Sequence, residues 1–97
     1  MKIDFSLPIN DLSGNQTRDD VELLTLRRVA IVALTASFRD ESPNGEESFK
    51  RYKIALLITG GDGVVDLEPE QISKIKTLIG KAWPPIVVGR AYEILNG

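Results

Sequence analysis

The chain has 97 residues, 42% apolar and 27% charged, with 12 basic and 14 acidic side chains, a formal charge of −2, and neither cysteine nor histidine. Without cysteine there can be no disulfide, thiolate zinc site or cysteine nucleophile, and without histidine no Ser-His-Asp triad, histidine-bound metal or histidine general base. The length suits one domain, 1–97, and the charge balance (five basic to seven acidic over 1–45, seven of each over 46–97) lacks the basic excess of a nucleic-acid binder.

At the N-terminus, Met1-Lys2-Ile3-Asp4 carries no apolar signal region, so the expected location is a cytoplasm. Ile3, Phe5 and Leu7 alternate with Asp4 and Ser6, the period-two pattern of a half-buried strand. Pro8 closes it, and Asp11-Leu12-Ser13-Gly14-Asn15 has turn chemistry. A second extended piece over 21–24 follows the charged Arg18-Asp19-Asp20. Together they read as an N-terminal hairpin with a long polar tip.

Thr25 suits a helix N-cap. The run 29–34 has no polar residue, and it is far shorter than the roughly 20 residues of a membrane span. Val29, Ile31 and Val32 favour a strand, while Ala30, Ala33, Leu34 and Ala36 favour a helix. The stretch 26–38 is long for a strand, so the spacing predicts a helix through the centre of the fold.

Residues 40–45 form a polar turn, and Glu46 and Glu47 then put negative charge where a helix dipole favours it. Phe49, Tyr52, Leu56 and Leu57 recur at helical spacing, with Lys50, Arg51 and Lys53 between them. Gly60-Gly61 offers the left-handed conformation of a C-terminal cap. Val64 and Val65 open a candidate third strand over 64–67. Next, Pro69 fits a first helical position, with Glu68 at the cap and Leu67 placed to staple onto Ile72. Ile72, Ile75, Leu78, Ile79 and Ala82 form the stripe to be buried, with Lys74, Lys76 and Lys81 toward solvent. Trp83-Pro84-Pro85 cannot lie inside a helix, so the chain turns there. Val87, Ala91, Ile94 and Leu95 make the stripe of a last helix, with Arg90 and Glu93 on its other side. The expected fold is α+β: a small antiparallel sheet packed against about four helices.

Few motifs suggest chemistry. Gly60-Gly61-Asp62-Gly63 has a helix before it and a strand after it, the reverse of a phosphate-binding loop. Read as half of a calcium loop, it puts Ile58, Gly60 and Pro69 where ligands belong. Carboxylate, lysine or tyrosine catalysis would need a specific buried setting, so the expectation is a non-enzyme with no cofactor and no metal. Trp83, Arg90 and Tyr92 are residue types that anchor protein interfaces, although Trp83 equally suits a core plug. Lys50, Arg51, Tyr52 and Lys53 form the best basic and aromatic patch, the basis of an alternative reading as a weak nucleic-acid-binding regulator. A solvated face balanced by Glu46 and Glu47 explains the same patch.

Asp4-Phe5-Ser6 with the 11–15 turn, and Ile79-Gly80-Lys81-Ala82-Trp83-Pro84-Pro85-Ile86-Val87-Val88-Gly89-Arg90-Ala91, resemble a group of small proteins encoded by tailed bacteriophages and prophages. The likeness takes in most of the chain, including Val65-Asp66-Leu67. Glu68 departs from the Thr or Ser expected before Pro69, which costs a cap. These motifs pack and cap, so the resemblance implies a fold and carries over no catalytic or binding residue. It implies an accessory protein acting by protein–protein contact, in virion assembly or on a host protein, with homo-oligomerisation an option.

Overall fold

The first strand finds its partner sixty residues along the chain. In a computed structural model describing residues 1–61 and 63–97, β1 (Lys2–Asp4) pairs antiparallel with β2 (Val64–Asp66), Ile3 facing Val65. The expected third strand is therefore the ladder partner of the first. The piece over 21–24 is no ladder strand. Its return is carried by isolated bridges, Pro8 with Thr25 and Arg18 with Leu23, while a third joins Asn10 to Gln16. Three backbone hydrogen bonds tie these legs together: Ile9 N–H to Leu24 O at 3.0 Å, Thr17 N–H to Ile9 O and Leu24 N–H to Thr17 O at 2.8 Å. Phe5, Ile9 and Leu24 point inward from this arm and are buried.

Acidic residues close the turns, Asp11 as expected and Asp19 in addition. Asp11 Oδ1 accepts from Ser13 and Asn15 N–H, Asp19 Oδ1 accepts from Val21 and Glu22 N–H, and Gly14 takes a positive φ of 87°. A short carboxylate that binds the backbone two residues on closes a turn without help from the core.

The apolar run resolves as α1 (Leu26–Thr35), capped by Thr25 Oγ1, which accepts from Arg28 N–H at 3.4 Å. It is the central helix, touching α2 (Gly45–Gly60), α3 (Pro69–Ala82) and α4 (Pro85–Leu95). Leu26, Val29, Ala30, Ala33 and Leu34 are buried, which explains why small and branched residues share one helix: the alanines let neighbours approach and the branched residues fill the gaps. It ends at Thr35, three residues before the predicted limit.

Pro69 opens α3 as expected, and Gln71 Oε1 accepts from Glu68 N–H at 2.9 Å, which restores part of the missing cap. The Trp83-Pro84-Pro85 corner separates α3 from α4, with Pro85 as the first residue of the new helix.

Two expectations for α2 need correction. Phe49, Tyr52, Leu56 and Leu57 are exposed, and the helix buries Arg51, Ile54, Ala55 and Ile58 instead. That second stripe also has spacing i, i+3, i+4, i+7, so either face satisfies helical periodicity. Gly61 is not left-handed, its φ being −87°. It is needed for space, since a Cβ there would lie 2.8 Å from Val65 Cγ2. The positive φ, 116°, falls at Gly63.

The rotation of α2 is testable. Ile58→Ala should destabilise the fold by about 2–5 kcal/mol, as large-to-small changes at fully buried sites do. Leu57→Ala, at an exposed site, should fall within about 0.5 kcal/mol of wild type. Urea unfolding of both variants measures the difference, and equal losses would mean α2 is rotated otherwise.

Candidate functional site

The outer face of α2 is built by what its inner face must do. Asn44 Oδ1 caps the helix by accepting from Glu47 N–H at 2.8 Å. One turn on, Arg51 turns inward with only 8% of its surface exposed. Its guanidinium donates to both Glu41 oxygens, at 2.6 and 3.2 Å, and its Nε donates to Glu47 Oε2 at 2.8 Å. Lys74 Nζ binds the other Glu47 oxygen at 2.6 Å, and Lys81 Nζ sits 3.3 Å from both Asp40 and Glu41. Glu41, Glu47, Arg51, Lys74 and Lys81 line a cleft of about 660 Å³ between α2, α3 and the loop before α2.

Arg51 is thus removed from the patch Lys50, Arg51, Tyr52, Lys53: it is no surface cation, because a buried guanidinium must be paired. Lys74 and Lys81, expected toward solvent, are half-drawn into the same network. Hydrogen bonding from Arg51, then from Lys81, holds the Glu41 carboxyl down to about 2. Lys74, then Arg51, likewise lowers Glu47. The Glu41 hydrogen bonds raise Arg51 in turn. Carboxylates held ionised this way serve as clamps across the fold, and they are poor proton donors near neutrality.

On the opposite side of α2, Phe49, Tyr52, Leu56 and Leu57 are between 48% and 58% exposed. Phe49 and Tyr52 stack with ring centroids 6.5 Å apart, and Lys53 Nζ stands 5.6 Å from the Phe49 ring. Lys50 and Lys53 are exposed and, among the described residues, pair with no carboxylate. Val64, 55% exposed on β2, extends the apolar surface beyond the end of α2. A contiguous apolar face with unpaired cations on it is chemistry suited to holding another chain.

The three anchor candidates near the corner lie elsewhere, and each uses its polar group within the fold. Trp83 packs half-buried against the core, its indole N–H donating to Val29 O at 3.1 Å. Arg90 Nε donates to Pro8 O at 3.4 Å and borders a separate cleft with Ile86 and Glu93. Tyr92 OH donates to Lys76 O at 2.6 Å, with Lys76 Nζ 5.0 Å from its ring. A Cβ at Gly80 would come within 3.0 Å of that hydroxyl, so glycine there makes room for the tyrosine. Arg90 and Tyr92 are two residues apart on one helix and so face opposite ways. The structure does not gather the three into one surface.

Asp62, part of the glycine-rich stretch, lies outside the described residues. The order around it is helix, then strand, as the sequence implied. Among the described residues no group of three or more acidic side chains is placed to hold a metal ion, and no helix is long and apolar enough to cross a membrane. No protein-family model, curated protein or solved structure matches the chain.

The paired carboxylates make stability depend on acid. Glu41 is held to about 2 against an ordinary 4.5, and Asp19 is held to about 2 against 3.8, by backbone N–H groups of Glu22 and Val21 and then by Arg28. A depressed folded-state pKa adds stability above the unfolded value and loses it as pH falls through the folded one. The urea midpoint should therefore fall between about pH 4.5 and about pH 2. In Arg51→Met the fall should be shallower, because Glu41 loses its first partner. A midpoint equally steep in both proteins would show that Arg51 does not hold Glu41.

Proposed function

We propose that this chain is a non-enzymatic accessory protein, of the phage-encoded kind its motifs resemble, acting in the cytoplasm through contact with another protein. The observation that carries this reading is the outer face of α2. Four large apolar side chains, Phe49, Tyr52, Leu56 and Leu57, stand half in water while the core beneath is filled by Ile54, Ala55 and Ile58. About half of their surface stays in water, so they add less to folding than buried residues of the same size would. An exposed patch with aromatic and aliphatic groups at its centre and lysines at its rim suits contact with another protein.

The ionic cleft supports the same reading. Its inner carboxylates, Glu41 and Glu47, are committed to Arg51, Lys74 and Lys81, and together they clamp α2 to α3. The nucleic-acid alternative keeps Lys50, Tyr52 and Lys53 and loses Arg51, its most directional phosphate contact.

Affinity purification from cells producing the tagged chain tests the proposal. Proteins recovered with wild type should drop about tenfold with Phe49→Ser/Leu56→Ser, which removes two central anchors. They should persist with Thr77→Ser, an exposed site on α3. The same proteins recovered equally with all three chains would remove α2 as the contact surface.

A further inference from the structure

The free edge of β2 opens beside this same face. In the antiparallel ladder, Phe5 N–H donates to Gly63 O at 2.6 Å and Leu67 N–H to Met1 O at 2.8 Å. With Ile3 opposite Val65, the backbone groups of residues 63, 65 and 67 are therefore those that point at β1. The N–H and C=O groups of Val64 and Asp66 point the other way. Among the described residues none of these four groups has a hydrogen-bond partner. The Val64 oxygen is the least open of the four, because Gly61 of the same chain stands beside it, 3.7 Å from where a Cβ there would lie.

That edge borders a trough of about 560 Å³ between β2 and the second half of α2, walled by Leu56, Leu57 and Val64. At Lys53 it meets a second trough, of about 400 Å³, running past Phe49 to the start of α3. From Phe49 to Gly60 the helix rises about 16 Å. About five residues of extended chain cover the same length. Among the described residues, Asp66 at the strand end is engaged by the Met1 ammonium at 3.0 Å and Lys53, where the two troughs meet, has no carboxylate partner, while Glu68 and Glu70 line the far end of the second trough.

We propose that the trough takes an extended segment of a partner protein, which adds to β2 as a strand and sets a carboxylate against Lys53. Its backbone hydrogen-bonds to the outward groups of Val64 and Asp66, which supplies affinity independent of sequence. Alternate side chains meet the Leu56–Leu57 wall, so aliphatic residues are selected at a spacing of two. An aspartate or glutamate among them pairs with Lys53. This deepens the protein-contact reading and rests on it. A partner that docked as a helix would use the apolar face and leave the strand edge alone.

The test is to pan the full chain against a displayed library of random heptapeptides and measure the enriched peptides by fluorescence anisotropy. Enriched peptides should alternate aliphatic residues and carry an acidic one. Val64→Pro removes one outward N–H at an edge position, where proline is tolerated, and should weaken binding at least about tenfold. Circular dichroism confirms that this variant folds. Lys53→Glu, which touches no core residue, should weaken acidic peptides about tenfold and serves if Val64→Pro does not fold. Failure to enrich any peptide overturns the proposal, as does binding unchanged by both substitutions. If partners from the affinity purification are lost with Phe49→Ser/Leu56→Ser yet kept with Val64→Pro, contact through α2 stands and strand addition falls.

Discussion

Arg51 decides which way α2 faces. A guanidinium stays charged at any pH the protein meets, so burying it requires carboxylates in fixed places. Glu47 lies one turn earlier on the same helix, and Glu41 is presented by the loop before it. Together they accept a hydrogen bond from each of the three guanidinium nitrogens. Lys74 and Lys81 from α3 then offset the surplus negative charge. Any other rotation of α2 would break this set and strand Glu47 and Lys74. The ionic cluster therefore sets the direction of the helix, while Ile54, Ala55 and Ile58 supply the burial that holds it.

The exposed face follows from that constraint. α2 carries apolar residues all the way round, and only one side can rest on α1. With Arg51 inward, the side bearing the aromatic residues is left out, although it offers the larger area to bury. Hydrophobic area alone would favour the opposite choice, since Phe49 and Tyr52 outweigh Ala55. A local charge network has overridden the burial preference, and sites of that sort tend to be functional.

The same conflict explains what could be read from the sequence. Elements whose signals agree were legible: Thr25 capping α1, Pro69 opening α3, the Pro84–Pro85 corner, and the inward alternation of Ile3 and Phe5, although the strand itself stops at Asp4, four residues before Pro8. The apolar run 29–34 was ambiguous between strand and helix, and the alanines tipped it correctly. The partner of β1 was not legible, because pairing at a separation of some sixty residues leaves no local trace, whereas a nearby hairpin does. In α2 two stripes fit one period, and the larger side chains pointed to the wrong one. The signal available was Glu47 and Arg51 at i, i+4 on the stripe of Ile54, Ala55 and Ile58. Trp83, Arg90 and Tyr92 drew notice by residue type, and their hydrogen bonds to Val29, Pro8 and Lys76 depend on tertiary neighbours that composition does not reveal.

The two-stranded sheet shows why one edge can stay open. A pair of three-residue strands is marginal by itself in water. Here it is held from its inner side, where Ile3 and Val65 are buried beside Phe5 and Leu67 in the common core. The arm after β1 is fastened to α1 by Leu26 N–H to Leu7 O and Arg27 N–H to Phe5 O, at 3.0 and 2.9 Å. Neither anchorage uses the outward groups of Val64 and Asp66. Exposed edges are usually shielded by shortness and by charge, and β2 has both, with three residues and an acidic end. Such an edge is too short to pair indiscriminately with another sheet. What gives it selectivity is its surroundings, an aliphatic wall on α2 and one cation at Lys53, both of which face outward because Arg51 faces in.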